Sequence, residues 1–86
     1  MQRGWVVSPH YRSAIDAIKA ARIERGISQR ELARRLEKPP SFINKIEQLE
    51  RRLDILEFVA IAHAMEVPPR DLFAKLLSAV PDEFRL

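Results

Sequence analysis

The side chains best suited to chemistry in this chain are polar groups that recur between residues 28 and 52. Eight of them face away from the apolar positions of the same stretch: Gln29, Arg30, Arg34, Arg35, Ser41, Asn44, Lys45 and Gln48. Amide groups can hydrogen-bond to adenine edges, ammonium groups to guanine, and guanidinium groups to phosphate oxygens. These residue types predict contacts with a nucleic acid, while an ordinary solvated helix face is the alternative interpretation.

Two short helices with a break between them would position these groups. Apolar residues recur every three or four positions in each half of the stretch: Leu32, Ala33, Leu36, Ile43 and Ile46. Ser28 followed by Glu31 is a capping-box pattern, and Pro40 suits the first turn of a helix but not its interior. The spacing predicts helices over about Gln29–Leu36 and Pro40–Gln48. Such a pair is a helix-turn-helix, whose second helix can enter the major groove of DNA.

Length and composition predict one globular domain over residues 1–86, with a core over about 9–78 and short tails. The net charge is +3, but residues 19–52 hold ten Lys/Arg and five Asp/Glu, a net of +5. The remaining residues hold five and seven, a net of −2. Basic charge is therefore concentrated on the two-helix unit, as expected for a nucleic-acid surface.

Several other classes of protein are not expected. The chain has no Cys and no run of eighteen apolar residues, and Trp5-Val6-Val7 is too short for a signal peptide. We therefore expect a cytoplasmic protein without a membrane span. His10 and His63 lie 53 positions apart, so no metal site is expected. No glycine-rich phosphate loop or nucleophile–base set is present, so the sequence predicts neither an enzyme nor a cofactor.

Three further helices complete the predicted all-α fold. Helix 1 should run from about Pro9 to Arg25, where Gly26 stops it in a left-handed conformation. Asp54 should cap helix 4, over about Ile55–Met65, and helix 5 should start near Pro69. The residues of helix 4 expected to face inward are Ile55, Phe58, Val59, Ile61, Ala62 and Met65.

The pattern over residues 12–77 resembles a known family. It is formed by Arg22, Gly26-Ile27-Ser28-Gln29, Glu31-Leu32-Ala33, Leu36, Ile43, Ile46-Glu47, Phe58, Ile61-Ala62, Met65, Val67 and Leu72-Phe73. These residues resemble the phage-repressor type of helix-turn-helix domain, the Cro/C1 or XRE family. The resemblance implies a five-helix, phage-repressor-like DNA-binding domain with the helix-turn-helix formed by helices 2 and 3. It also implies a structural ion pair between Arg22 and Glu47, and a contact of Gln29 with the DNA backbone.

The chain departs from the family pattern at four positions. Glu37 and Glu66 replace glycines, so either the local backbone differs or some stability is given up. Pro40 and Ser41 replace the usual first exposed residues of helix 3. The predicted base contacts are therefore Pro40, Ser41, Asn44 and Lys45. The predicted DNA backbone contacts are Gln29, Arg30, Gln48, Arg51 and Arg52, and solvent exposure is the alternative for the last two.

The tails carry more apolar residues than five helices need. The candidates for a dimer interface are Trp5, Val7, Leu77, Val80, Phe84 and Leu86. They would form a two-fold interface, as family members usually bind DNA as dimers, or fold back on the core. The predicted function is sequence-specific binding of double-stranded DNA by a homodimeric regulator, most simply a repressor on an inverted repeat. The alternatives are an antitoxin with a protein partner and an interaction adaptor that has lost DNA binding.

Overall fold

The computed structural model describes residues 8–84, which form five helices. These are α1 (Pro9–Glu24), α2 (Gln29–Arg35), α3 (Phe42–Glu47), α4 (Ile55–Ala64) and α5 (Pro69–Ala79). The prediction of an all-α fold with a helix-turn-helix formed by helices 2 and 3 is confirmed. No helix within residues 8–84 is long and apolar enough to cross a membrane.

Helices α1, α2 and α4 begin after residues whose side chains satisfy free backbone N–H groups. The Ser8 hydroxyl accepts from Tyr11 N–H, and the Ser28 hydroxyl accepts from Glu31 N–H. Asp54 and Glu57 form a reciprocal capping box at the start of α4. Because these bonds replace lost hydration at the helix ends, they fix where α1, α2 and α4 begin.

Helix α3 starts two residues later than the sequence predicts. The predicted start at Pro40 is wrong, because Phe42 N–H donates to Pro39 O at 2.9 Å and closes a turn through the two prolines. Ser41 makes no side-chain cap bond. Phe42 is only 8% exposed, so it belongs to the apolar face of α3, from which sequence reasoning omitted it.

One core lies where the five helices meet. α1 packs against α5 and α3, while α4 packs against α5 and α2. The core residues are Ile15, Ile18, Ala21, Ile27, Leu32, Ala33, Phe42, Ile43, Ile46, Leu49, Ile61, Ala62, Met65 and Leu72. Ala33 is fully buried on α2, whose closest partner is α3, so a larger side chain there would push neighbouring helices apart.

The inward orientation predicted for Ile55 is wrong, since 81% of this residue is exposed. Ile55 is the first residue of α4 and directly follows the exposed Asp54 cap. The neighbouring Leu56 is also exposed, and α4 is partly buried only from Glu57 and Phe58 onward. Helical periodicity places a residue on a face but does not show where along the helix its neighbours begin to cover it.

Within residues 8–84, four residues adopt the left-handed backbone conformation. Gly26 does so with φ 72°, as predicted. Glu37 and Glu66 do so with φ 57° and 60°, so the turns are kept without glycine. Leu49 also adopts this conformation, with φ 63°, which the sequence pattern did not predict. A left-handed residue with a Cβ costs about 1–2 kcal/mol, so these three turns carry backbone strain.

Candidate nucleic-acid interface

The predicted base-contacting residues lie on one open surface around α3. Ser41, Lys45 and Gln48 are exposed and Asn44 is half-buried, whereas Ile43 and Ile46 are buried on the opposite side. Residues three and four apart share a helix face, so the four polar side chains form one stripe. Pro40 is exposed in the turn just before it. This surface offers amide, hydroxyl and ammonium groups to a polar partner.

A buried ion pair fixes α3 to α1. Arg22 Nε lies 2.7 Å from Glu47 Oε2, and Arg22 Nη2 lies 3.1 Å from Glu47 Oε1. The two side chains are 9% and 5% exposed. Arg22 also donates to Ile27 O at 2.7 Å. A buried charge pair is tolerated only with such full bonding, and removing one partner leaves the other charge desolvated.

Gln29 is attached to the same pair. Its Nε2 donates to Glu47 Oε1 at 2.7 Å, so the side chain is oriented by a residue of α3. An amide nitrogen has a second N–H donor. The contact proposed between Gln29 and a phosphate would therefore use a group that the ion pair already positions at the start of α2.

Arg51 and Arg52 follow α3 but differ in their contacts. The Arg51 guanidinium donates to both carboxylate oxygens of Glu57, at 2.8 and 2.6 Å. This bonding lowers the pKa of Glu57 below its ordinary value, although partial burial acts in the opposite direction. Arg52 is exposed, with its guanidinium carbon 5.6 Å from the centre of the Tyr11 ring.

Two arginines of α2, Arg34 and Arg35, form hydrogen bonds within the protein. Arg34 and Arg35 both donate to the Glu31 carboxylate, and these bonds lower the pKa of Glu31 to about 2. Glu31 therefore does not complete the predicted capping box, because its side chain turns toward the two arginines. Arg35 also donates to Ala64 O at the end of α4, at 2.8 Å. Arg30 is exposed on the same helix.

Comparison with known proteins identifies the family. The sequence pattern of the helix-turn-helix family matches residues 18–72. A solved XRE-family like protein from Pseudomonas syringae pv. tomato str. DC3000 is 40% identical, with a TM-score of 0.74 over 84% of this chain and 88% of that one. This chain belongs to the Cro/C1-type XRE helix-turn-helix family. It is therefore a DNA-binding transcription regulator and not an enzyme.

A more distant XRE-like fold gives the same architecture. The clp gene regulator ClgR from C. glutamicum superposes with a TM-score of 0.75 at 16% identity, over 88% of this chain and 99% of that one. At this identity the likeness shows the fold alone. No curated protein sequence gives a significant match. Within residues 8–84 of this XRE chain, no group of three His, Asp or Glu side chains is arranged to hold a metal ion.

The predicted dimer residues of the XRE chain are only partly described. Trp5, Val7 and Leu86 lie outside the described residues. Leu77 and Phe84 are 55% and 48% exposed, and Val80 is half-buried. These last three line a cleft of about 600 Å³ beside the start of α1. The Phe84 ring lies 5.2 Å from the ring of His10, so the C-terminal segment contacts α1 while keeping apolar surface exposed.

Proposed function

We propose that this XRE regulator is a repressor that binds an inverted-repeat operator as a homodimer, with α3 in the major groove. The observation that supports this most strongly is the polar stripe of α3, whose opposite face is buried and joined to α1 by the Arg22–Glu47 pair. A rigidly held helix with open base-reading groups is what direct readout requires.

Asn44 and Lys45 are the proposed base-reading residues. Asparagine can bond to adenine through two atoms, and lysine can donate to guanine. Ser41 would accept from or donate to a neighbouring base, and Pro40 would contact a thymine methyl group. Because Asn44 is half-buried and Lys45 is exposed, the Asn44 amide should be less free to move than the long Lys45 side chain. Asn44 should therefore carry more of the base preference.

The DNA backbone would be bound at both sides of α3. Gln29 and Arg30 lie at the start of α2, whereas Gln48 and Arg52 lie just past α3. Groups at such positions contact sugar and phosphate and fix the register of the helix in the groove. Arg51 was predicted to act in the same way, but its guanidinium is bonded to Glu57.

The proposed dimer uses the apolar surface around Leu77, Val80 and Phe84. The molecule measures 34 × 32 × 21 Å. Two copies related by a two-fold axis, side by side along the DNA, would be separated by about one helical turn of roughly 34–36 Å. The size of one copy and the length of one helical turn are therefore similar, which favours two half-sites on the same face of the duplex.

The experiment is selection of genomic fragments bound by the purified chain, followed by sequencing and an electrophoretic shift assay. A shared inverted repeat that shifts at lower protein concentration than scrambled DNA is the expected result. Expression of a reporter downstream of that repeat should fall when the chain is present. Absence of any preferred fragment would favour the adaptor, and a partner protein co-purifying with an operator-bound chain would favour the antitoxin.

A further inference from the structure

Arg51 lies in the loop after α3, yet its contacts reach both ends of that helix. Its backbone N–H donates to Lys45 O at 3.2 Å, in the last turn of α3. Its guanidinium carbon lies 4.8 Å from the centre of the Phe42 ring, and Phe42 is the first residue of α3. One residue thus contacts the beginning and the end of the helix that carries Asn44 and Lys45.

The Arg51 guanidinium is itself held by α4. It donates to the two Glu57 oxygens at 2.8 and 2.6 Å and to Arg52 O at 2.8 Å. Glu57 is fixed in turn, since it accepts from Asp54 N–H at 3.0 Å as part of the capping box. A planar guanidinium can satisfy both carboxylate oxygens at once, which an ammonium group cannot.

Phe42 needs such an external contact because α3 has little internal support. The helix has six residues and no side-chain cap at Ser41, and helices this short depend on packing for their orientation. The Phe42 ring is almost fully buried, with Arg51 near it and Lys38 Nζ 5.5 Å from its centre. The position of this ring therefore determines how the first turn of α3 is presented.

We infer that Arg51 is a positioning residue for α3, which links Phe42 to Glu57 and so fixes the orientation in which Asn44 and Lys45 meet the bases. This role rests on the proposed function. It differs from phosphate binding, because a guanidinium already paired with a carboxylate adds almost no net positive charge to the surface. Release of counterions from DNA depends on that charge.

Two conservative variants separate these roles. Arg51→Lys keeps the charge that a phosphate contact needs but loses the two-oxygen bond to Glu57. Glu57→Gln removes the partner charge but keeps an acceptor suited to the capping box. Both variants should lower the ratio of operator to scrambled-DNA affinity about tenfold, through misplacement of a base contact. The salt dependence of binding should keep its wild-type slope in Arg51→Lys, which changes no charge, whereas Glu57→Gln leaves the Arg51 charge uncompensated and can only steepen the slope.

Glu24→Gln is the matched control, because Glu24 also pairs with a basic side chain but at an exposed site between α1 and α5. It should leave the ratio unchanged. Titration at saturating DNA gives the active fraction of each variant, so that partial unfolding, which weakens both DNAs alike, is not mistaken for lost base preference.

The positioning role would be overturned if Arg51→Lys kept the wild-type ratio. It would also be overturned if Glu57→Gln tightened binding to both DNAs equally and kept the wild-type ratio, as expected when a phosphate contact alone is freed. A wild-type protein that prefers no fragment would overturn the proposed function and this role with it. A selective wild type with unaffected variants would overturn this role alone.

Discussion

At the scale of single residues, Asn44 and Arg52 are both polar and close to the proposed groove, but they should contribute to binding in different ways. Asn44→Ala should cost about 1–3 kcal/mol on the operator and relax preference at one base pair, because it removes a two-atom base contact. Arg52→Ala should weaken operator and scrambled DNA alike and lower the magnitude of the salt slope by about one unit. The measurement is affinity against salt for both variants on both DNAs. Equal weakening on both DNAs by Asn44→Ala would show that Asn44 does not read a base.

Glu47 belongs to the same scale, but its effect is on stability. Glu47→Ala should lower the free energy of unfolding by about 3–5 kcal/mol, since it leaves the Arg22 charge buried and frees the Gln29 amide. Urea unfolding measures this. Glu24→Ala is the control, because Glu24 meets Lys75 at an exposed site with an N–O distance of 3.4 Å, worth under about 1 kcal/mol. A loss for Glu47→Ala as small as that of the control would contradict a buried pair.

At the scale of elements, the strained turns after α2 and α4 give a test of backbone energetics. Glu37→Gly and Glu66→Gly should each raise the free energy of unfolding by about 0.5–1 kcal/mol. Relief of left-handed strain, about 1–2 kcal/mol, is partly offset by the greater freedom of glycine in the unfolded chain. The alanine variants at both positions are the controls and should give no gain, since they retain a Cβ. Leu49→Gly should destabilise, because Leu49 is buried as well as left-handed.

Two carboxylates with lowered pKa values, Glu57 on α4 and Glu31 on α2, should make the free energy of unfolding depend on pH. Bonding to Arg51 lowers the pKa of Glu57, and bonding to Arg34 and then Arg35 lowers that of Glu31 to about 2. The folded state therefore binds fewer protons than the unfolded state below about pH 4.5, so stability should fall as the pH drops from there toward 2. The free energy of unfolding, measured in urea at pH 5, 4 and 3, should change less with pH in Glu57→Gln than in the wild type. Arg51→Met should flatten this dependence as well, because it removes the cause of the shift. Wild-type slopes in both variants would contradict this assignment.

Elements were predicted from the sequence to the extent that local patterns determine them. Ser28 and Asp54 cap the helix that directly follows each of them, and Gly26 stops the helix before it. The end of α1 and the starts of α2 and α4 could therefore be predicted. The start of α3 could not be predicted, because it depends on a turn through Pro39 and on burial of Phe42 against other helices.

The hydrogen bonds of Arg51 and Gln29 also depend on residues outside their own segment. The place of Arg51 just past helix 3 and the family resemblance at Gln29 indicated contacts with the DNA backbone. Their partners Glu57 and Glu47 lie on other helices, six and eighteen positions away, so no pattern within one helix could predict these bonds.

At the scale of the whole molecule, two features have to agree if the chain acts as a dimer. One is the apolar surface that includes Leu77 and Phe84. The other is the size of the molecule, 34 × 32 × 21 Å, which limits how closely two copies can lie along DNA. Helix α3 is six residues long, and its stripe of four polar side chains is short enough to reach only a few base pairs. In the proposed dimer two stripes would bind together, which would distinguish one site among many competing genomic sites better than a single stripe.

The resulting prediction is a two-fold complex with half-site centres about 10 base pairs apart. Leu77→Arg should yield monomers by light scattering and weaken operator binding, because a charge replaces an apolar side chain that the partner would cover. Ile23→Arg is the control, since Ile23 is similarly exposed near the end of α1 but does not line the cleft that holds Leu77, Val80 and Phe84, and it should leave assembly unchanged. Insertion of five base pairs between the half-sites should abolish cooperative binding of the wild type, because it places the second half-site on the opposite face of the duplex. Saturation of the intact operator by a single monomer would show that the dimer does not form on DNA.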